Sequence, residues 1–470
     1  MEKRTVIGNT GIQFFVSLLF LSFCWGGVFL SGECLAKDVK VKFGLTFDQT
    51  GPLATEGRKM ITAWKWYREY LNEELGGLKD VEGNSVKIEL LIGDTGFKPD
   101  RTMSLYRKFK SEGMVAIMQS GSVELAAMRS KCLRDKIPTP ANVANLIYPL
   151  PSPVFAHWAS YSACSAAVID YVKTKWEKSN ASWTKDRPPR LAFIGPEAYP
   201  SWVASSAPEI MRYAKLQGVE VVGRFFIPMR PIDTKPQVLS AKRANADFIY
   251  TGIVLSQGGA VVRDLYDLGL RGDPTKEQGK IEIIGMFPMS ALEMIKFAGS
   301  ARAVEGMKIV GSHAYIMEDK PALNVIRRYA KKHGQYERLD LTHVCTWYTA
   351  LQTTEALRLA LKKVPGDKLK GKDVWEEGFL KIKDFDTRGI TTARLTFTEE
   401  RRFGMAKVRI DSIVGDKGVR KLVMYADHKM LFPMYTEEYT KKHGKKSIYS
   451  DETLKLLNLK ASDVGYKRFK

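Results

Sequence analysis

The sequence is poor in the two residue types that most often build metal centres and nucleophilic sites. It has five cysteines and six histidines among 470 residues, and none stand at the spacing of a zinc site. His343 and Cys345 are the nearest pair, but residues two apart do not share a helix face in the predicted helix 341–361. We therefore expect no metal ion. Cys132, Cys164 and Cys345 lie in apolar surroundings, which predict buried free thiols.

Motifs of the common enzyme classes are also absent from the sequence. It contains no complete phosphate-cradling Gly-x-x-x-x-Gly-Lys-Ser/Thr, no Gly-x-Gly-x-x-Gly after a strand, and no nucleophile elbow. No combination of histidine with serine, cysteine or aspartate indicates a catalytic triad. The sequence therefore predicts no catalytic residues and no cofactor.

Long apolar runs are limited to one, and it lies near the start of the chain. Lys3 and Arg4 precede a mostly apolar stretch at 12–30, and the small-residue sequence Cys34-Leu35-Ala36 follows. This is the layout of a secretory signal peptide, so we predict cleavage after Ala36 and a soluble periplasmic product. A retained membrane anchor is the alternative, because the run approaches the ~20 residues that span a bilayer.

Negative charge is scarce relative to positive charge. The formal net charge is +21, and the segment after Arg401 is particularly basic. Its Lys and Arg residues are scattered among acidic and aromatic residues rather than clustered as in a nucleic-acid footprint. We therefore expect a solvated basic surface and no nucleic-acid partner.

Strand and helix patterns alternate twice along the chain. The first series has strands at 39–47, 86–92 and 115–118, with helices at 56–75, 99–110 and through Met128 and Leu133. After an irregular, proline-rich connection at 138–153, strands recur at 191–194, 219–227, 248–250 and 281–284. Such alternation is typical of parallel sheets with right-handed crossovers. We therefore predict an α/β protein with two Rossmann-like lobes.

The loops that follow these strands share one composition. They are rich in Gly, Ser, Asn, Tyr and Pro and lie at 48–56, 119–122, 140–145, 196–202, 253–259 and 286–290. Ligands of open parallel sheets bind beyond the carboxyl ends of the strands. We expect these loops to hold a small polar ligand with backbone N–H groups, hydroxyls and aromatic walls.

A series of short motifs lies in a fixed order between Val39 and Val414. The motifs are Thr50-Gly51-Pro52-Leu53-Ala54, Tyr70-Leu71-Asn72, Leu75-Gly76-Gly77, Gly93-Asp94, Gly121-Ser122, Ile137-Pro138-Thr139-Pro140-Ala141, Ala192-Phe193-Ile194, Leu268-Gly269-Leu270 and Glu305-Gly306-Met307. In this order they resemble the type I periplasmic binding proteins, specifically the leucine/isoleucine/valine-binding branch. The resemblance implies a monomer that captures a small molecule between two lobes and delivers it to the membrane permease of an ABC importer.

The resemblance also implies that the chain crosses between the lobes three times, forming a three-segment hinge. The crossings are expected near 153–161, 311–315 and 388–392. Lobe 1 would then hold 37–157 and 315–388, and lobe 2 would hold 158–314 and 389–425. Residues 426–470 lie beyond the family's usual end, as a basic C-terminal extension without an assigned role.

Ligand contacts are implied by position in the family. They fall on Ser120, Gly121, Ser122, Ala141, Asn142, Val143, Tyr199, Leu255, Ser256, Phe287 and Glu56. Ser120 and Ser122 would donate hydrogen bonds to a ligand carboxylate or its equivalent, and Tyr199 would close on the ligand from lobe 2. Helix capping also explains the two serines, and ordinary packing also explains Tyr199 and Phe287.

Two positions depart from the pattern of amino-acid binders. Val143 stands where they carry a hydroxyl, and Phe287 where they carry an acidic residue that pairs with the ligand's ammonium group. A buried ammonium without a carboxylate partner is costly. Phe287, with Phe47, Tyr199 and Trp202, therefore favours an aromatic or aliphatic acid or a small amide, although Glu56 could supply the missing charge.

Two other functions fit the same pattern. A sensor would deliver its liganded form to a signalling receptor, and a secreted enzyme would use a similar two-lobed scaffold. The export signal without a signalling domain favours uptake over sensing. The absence of catalytic motifs favours binding over catalysis.

Overall fold

The structure is a computed structural model. It describes residues 37–119, 121–141, 149–156, 158–197, 200–229, 231–251, 255–287, 291–391, 393–405, 407–417, 419–427 and 435–464. The predicted signal peptide therefore lies outside the described residues. None of the described helices is both long and apolar enough to cross a membrane.

The first strand–helix series folds into one sheet, which defines lobe 1. Its described strands are β1 (Asp38–Phe47), β2 (Leu78–Lys79), β3 (Ser85–Asp94), β4 (Ala116–Gln119), β5 (Thr139–Ala141) and β6 (Val154–Ala156), in the order β2-β3-β1-β4-β5-β6. The accompanying helices are α1 (Ala54–Glu69), α2 (Pro99–Ser111) and α3 (Ser122–Asp135). β1 pairs in parallel with both β3 and β4, so the carboxyl ends of these three strands meet at one edge.

The second series builds a second sheet, which defines lobe 2. Its parallel strands are β7 (Arg190–Gly195), β8 (Glu220–Phe226), β9 (Phe248–Thr251), β10 (Glu282–Met286) and β11 (Lys308–Gly311). The helices of this part are α4 (Tyr161–Glu177), α5 (Pro200–Ser205), α6 (Pro208–Leu216), α7 (Lys235–Arg243), α8 (Leu255–Asp267), α9 (Ala291–Ala298) and α10 (Ala301–Val304). The strands of this sheet are almost entirely buried from β9 to β11, which accounts for their continuous apolar runs.

The remaining chain serves both lobes. Its elements are α11 (Pro321–Lys332), α12 (Leu341–Leu361), α13 (Gly371–Asp373), β12 (Lys407–Val414), β13 (Val419–Asp427), α14 (Glu437–Lys442), α15 (Asp451–Leu456) and α16 (Ala461–Val464). α12 packs on α1, with the rings of Tyr67 and Trp347 5.0 Å apart. β12 and β13 form an antiparallel hairpin that extends the second sheet, whose order is β13-β12-β11-β10-β9-β7-β8.

The α/β prediction with two mostly parallel sheets is confirmed. The predicted helix 341–361 has the observed limits of α12, and the helix predicted at 56–75 ends in a π-helical segment at Tyr70–Glu74. Cys132, Cys164 and Cys345 are buried free thiols, as predicted. The limits proposed for the lobes remain predictions, although strand membership divides the chain in the same order.

The C-terminal extension folds against the rest of the chain. The Tyr449 hydroxyl donates to Glu209 on α6 over 2.7 Å, and Arg212 of the same helix donates to the carbonyl of Leu457 over 2.7 Å. Tyr435 donates a hydrogen bond to Glu400 over 3.0 Å. Residues 435–464 of the extension are therefore packed against lobe 2 and the segment that leads into β12, and residues 426–427 end β13.

Candidate ligand-binding site

A buried aspartate shapes the loop after β1. Asp48 is fully buried, and its carboxylate accepts hydrogen bonds from the backbone N–H groups of Gly51 at 2.5 Å and Leu53 at 2.7 Å. These bonds turn the chain sharply at the carboxyl end of the strand, as an acidic side chain that binds nearby N–H groups does. The loop is therefore held in one conformation directly before α1.

Close approach of α1 to this loop requires a glycine. A Cβ atom at Gly57 would lie 1.8 Å from the carbonyl oxygen of Asp48. Glu56, the preceding residue and a predicted ligand contact, is half-buried in the first turn of α1. The glycine thus fixes where the first turn of α1 meets the edge of the sheet.

Asp94, at the end of β3, joins the loops of neighbouring strands. Its carboxylate accepts from the backbone N–H of Gln49 at 2.8 Å, the Thr50 hydroxyl at 2.9 Å and the backbone N–H of Gly96 at 3.0 Å. Burial would raise the pKa of Asp94, but these hydrogen bonds and the nearby Arg101 guanidinium lower it below its usual value. Asp94 is therefore ionised, and its hydrogen bonds join the loop after β1 to the loop after β3.

The end of β4 leads directly into α3. Gly121 is the N-cap residue, with extended backbone (φ −114°, ψ 147°), and Ser122 is the first helical residue. Ser122 is buried and lies one residue past the N-cap. α3 thus begins at this edge of the sheet, where the backbone N–H groups of a first helical turn can bind an anion.

Ala141 occupies the corresponding position on the next strand. It is fully buried at the end of β5 and pairs with Gln119 of β4 on one side and with Ala156 of β6 on the other. The structure thus places Gly121, Ser122 and Ala141 along the same edge of the lobe 1 sheet.

Phe287 follows β10 of lobe 2 and is 1% exposed. Its ring packs edge-on against Trp158 and stacks on Tyr161, whose ring centroid is 6.2 Å away. Gly311 permits this position, because a Cβ atom there would lie 2.9 Å from the Cβ of Phe287. The ring therefore packs among the residues where the chain passes from lobe 1 into lobe 2.

Two other aromatic side chains, which the sequence suggested as walls of the ligand site, belong to the cores of their lobes. Phe47 and Trp202 are both fully buried. Trp202 lies over Gly195, where a Cβ atom would meet the indole ring at 2.3 Å, and its ring is 6.1 Å from that of Phe193. Their apolar character is thus explained by packing within the sheets.

Three segments of chain pass between the two sheets and are hydrogen-bonded to one another. The backbone N–H of Ala156, at the end of β6, donates to the carbonyl of Arg402 over 2.8 Å. The N–H of Ala314, after β11, donates to the carbonyl of Ile390 over 2.7 Å. All three segments therefore form one connected hinge.

A buried histidine, His313, lies beside the hinge. His313 lies between Trp158 and Tyr348, with ring centroids 5.9 and 5.3 Å away. Burial lowers the pKa of His313 to about 3, and the charges of Arg420 and Arg409 act in the same direction. His313 is therefore neutral at physiological pH and does not give the hinge a pH response there.

Buried charges connect the hinge to the β12–β13 hairpin. Asp411 accepts from Arg409 over 2.9 Å and lies 3.8 Å from Arg420. Arg409 also pairs with Glu318 over 2.8 Å, and Glu318 accepts from the backbone N–H of Tyr315 over 2.8 Å. The network thus links the hairpin to the segment that follows β11.

Several predicted contacts cannot be placed. Ser120, Asn142, Val143 and Tyr199 lie outside the described residues. Leu255 and Ser256 begin α8, but their side chains are not described. These residues remain predictions.

Sequence patterns did not identify Asp48, Asp94 or Glu124 as site residues, although Gly93-Asp94 was among the family motifs; the three cluster at the lobe 1 edge. The available signal was an acidic residue at or just past the end of each of two predicted strands, with Gly93 directly before Asp94. Trp158 was also missed, because its contacts with Phe287 and His313 join distant parts of the sequence.

Comparisons with known proteins agree on the fold. The family described as "Periplasmic binding protein" matches residues 40–415. Among curated proteins, no sequence matches this chain.

Solved structures of three substrate-binding proteins are similar at low sequence identity. A branched-chain amino acid ABC transporter protein from Thermus thermophilus with bound valine has a TM-score of 0.68 at 18% identity, covering 87% of this chain and 99% of its own. A fatty acid ABC transporter substrate-binding protein from Thermomonospora curvata has a TM-score of 0.67 at 19% identity, covering 83% and 93%. A solute-binding protein from Rhodopseudomonas palustris HaA2 in complex with p-hydroxybenzoic acid has a TM-score of 0.65 at 14% identity, covering 83% and 97%.

The match to the family extends over far more than half of the chain and coincides with the two sheets and the hinge. The resemblance inferred from the order of short motifs is therefore confirmed. The chain belongs to the periplasmic binding protein family and has its two-lobed type I fold.

Proposed function

We propose that this protein is an extracytoplasmic solute-binding protein that captures a small molecule between its lobes and delivers it to an ABC importer. The observation that carries the proposal is the position of the predicted contacts at the carboxyl ends of parallel strands, next to a three-segment hinge. This is where open parallel sheets bind ligands. Export with cleavage after Ala36, a monomeric state and the permease partner belong to the same proposal.

Capture proceeds by hinge closure. A ligand that contacts both lobes stabilises the closed form by its higher affinity for that form, and the permease then recognises the closed surfaces. Gly121, Ser122 and Ala141 act from lobe 1, with Ser120, Asn142 and Val143 beside them. Tyr199, Leu255 and Ser256 act from lobe 2, and Glu56 and Phe287 complete the set.

The ligand has an apolar body and an acidic or amide head. Phe287, which packs on Trp158, stands where the family resemblance implies an acidic residue in amino-acid binders, and this favours a ligand without an ammonium group. The start of α3 suits a carboxylate, because the backbone N–H groups of a first helical turn bind anions. The similar structures contain bound valine or p-hydroxybenzoic acid or come from a fatty acid transporter, so these three classes of compound define the first comparison.

A thermal-shift screen tests the ligand class. We expect 4-hydroxybenzoate or a medium-chain fatty acid to raise the melting temperature by several degrees, and more than leucine or valine does. The reason is mass action, since a ligand at 100 times its Kd adds about 2.7 kcal/mol of stability. A larger shift with leucine would show that Phe287 does not exclude an ammonium group.

Ser122→Ala tests the proposed hydrogen bond between Ser122 and the ligand. Loss of a buried hydroxyl at the start of α3 should weaken binding of the best compound several-fold, because a hydrogen bond contributes about 1 kcal/mol. Ser104→Ala, at an exposed position on α2, is the control and should bind as the unmodified protein does. Recovery of the intact compound after prolonged incubation separates binding from turnover.

A further inference from the structure

A buried carboxylate without an assigned role lies beneath the loop after β4. Glu124 is in the first turn of α3 and is fully buried. A Cβ atom at Gly121 would lie 2.1 Å from Oε2 of Glu124 and 3.0 Å from the ring of Phe97. The carboxyl group is therefore in contact with the backbone of Gly121, a proposed ligand contact.

This carboxyl group lacks the hydrogen bonds that a buried ion needs. Within the described part of the chain, neither oxygen of Glu124 has a hydrogen-bond partner of good geometry, and Nε2 of the buried Gln119 has none either. The side chains of Thr95 and Gln119 are the polar groups beside it. An unpaired ionised carboxylate in such a position is strongly disfavoured.

The neighbouring charges add to this effect. Asp48 faces Glu124 from the loop after β1, and Asp94 faces it from the end of β3, where Arg101 lies 3.4 Å from Asp94. Burial raises the pKa of Glu124 to about 6, the side chains of Thr95 and Gln119 partly oppose the shift, and the two aspartates add to it. Glu124 thus exchanges a proton close to neutral pH.

We propose that Glu124 is a positioning residue whose carboxyl group takes up a proton from solvent when the loop at 119–122 binds a ligand carboxylate. The proposal rests on the proposed function and identifies the charge of the head group. A ligand carboxylate beside Gly121 adds negative charge next to Glu124, which favours the neutral acid. The neutral acid places no negative charge beside the ligand carboxylate, and its O–H group can donate a hydrogen bond. A ligand ammonium would have the opposite effect and favour the ionised form.

The direction of the pH effect follows from this linkage. Because the complex holds one more proton than the free protein, affinity for a carboxylate falls as pH rises above 6, by up to about tenfold per pH unit. Glu124→Gln replaces the acid by a neutral group of the same shape. Its affinity should be independent of pH and, at pH 8.0, should equal that of the unmodified protein at pH 5.5.

Calorimetric titration with 4-hydroxybenzoate between pH 5.5 and 8.0 tests the linkage, because the carboxyl group of the probe stays ionised in this range. The unmodified protein and the control Glu337→Gln, which removes an exposed carboxylate before α12, should bind about tenfold to one hundredfold more weakly at pH 8.0 than at pH 5.5. Glu124→Gln should bind equally at both values. Affinity of the unmodified protein that does not change with pH, or an unchanged decline in Glu124→Gln, would overturn the proposal.

A second measurement needs no ligand and separates this proposal from the proposed function. The folded-state pKa of about 6 exceeds the ordinary value of 4.5, so the folded protein binds more protons and loses stability as pH rises from 4.5 through 6. The melting temperature of Glu124→Gln, relative to the unmodified protein, should therefore rise over this interval, whereas that of Glu337→Gln should not. If no carboxylate binds, the ligand class is wrong. If the difference between Glu124→Gln and the unmodified protein is constant with pH, Glu124 does not titrate as proposed.

Discussion

Asp411→Asn is expected to lower the free energy of unfolding by about 3–5 kcal/mol, the cost of breaking a buried ion pair from one side. Asp411 is 1% exposed, and its two partners, Arg409 and Arg420, are 4% and 5% exposed at their side chains. Burial lowers the pKa of Arg420, and Asp411 opposes that shift. Among the described residues, the neutral amide would leave Glu318 as the carboxylate beside the two buried guanidinium groups.

Chemical denaturation measures this effect directly. Asp416→Asn, in the exposed turn of the same hairpin, changes the net charge equally and should alter stability by less than about 0.5 kcal/mol. A loss below about 1 kcal/mol for Asp411→Asn would mean that the two arginines reach solvent or other acceptors. The network would then not hold the hairpin to the segment after β11.

Gly57→Ala should destabilise the protein by about 3 kcal/mol and weaken ligand binding. Alanine normally stabilises a helix by about 1 kcal/mol relative to glycine. Here its Cβ atom would lie 1.8 Å from the carbonyl oxygen of Asp48, which is backbone and cannot rotate away. The first turn of α1 must therefore move from the loop that Asp48 holds, at the cost typical of an overpacked interior.

Thr55→Ala is the matched control for this substitution. It lies two residues earlier on α1 and is exposed, so it should leave both stability and binding nearly unchanged. Thermal melts of the two variants, followed by titration with the best compound of the screen, provide the comparison. Unchanged or increased stability of Gly57→Ala would contradict the close packing of α1 on the loop.

The alternating fold was predictable because its strands are apolar runs bounded by turns. The predicted strand at 248–250 is observed at Phe248–Thr251, and the one at 86–92 is observed at Ser85–Asp94. The β12–β13 hairpin was not predicted. Leu422 and Val423 are consecutive apolar residues of β13 that are 38% and 46% exposed, so the sequence lacks the alternation that marks a half-buried strand.

The site was predictable only at the level of its loops. Parallel strands bring their carboxyl ends together, and this rule led to the loops at 119–122 and 140–145, within which the family resemblance implied Gly121, Ser122 and Ala141. The contacts of Asp48 and Asp94 with backbone N–H groups depend on tertiary positions that no local pattern encodes. The packing of Phe287 on Trp158 likewise joins residues far apart in sequence.

Small-angle X-ray scattering tests the central claim, ligand capture by closure of two lobes, most directly. The measurement compares the ligand-free protein with the protein saturated by the compound that gives the largest thermal shift. Capture by hinge closure predicts a smaller radius of gyration in the saturated sample. An unchanged radius at full saturation would contradict it.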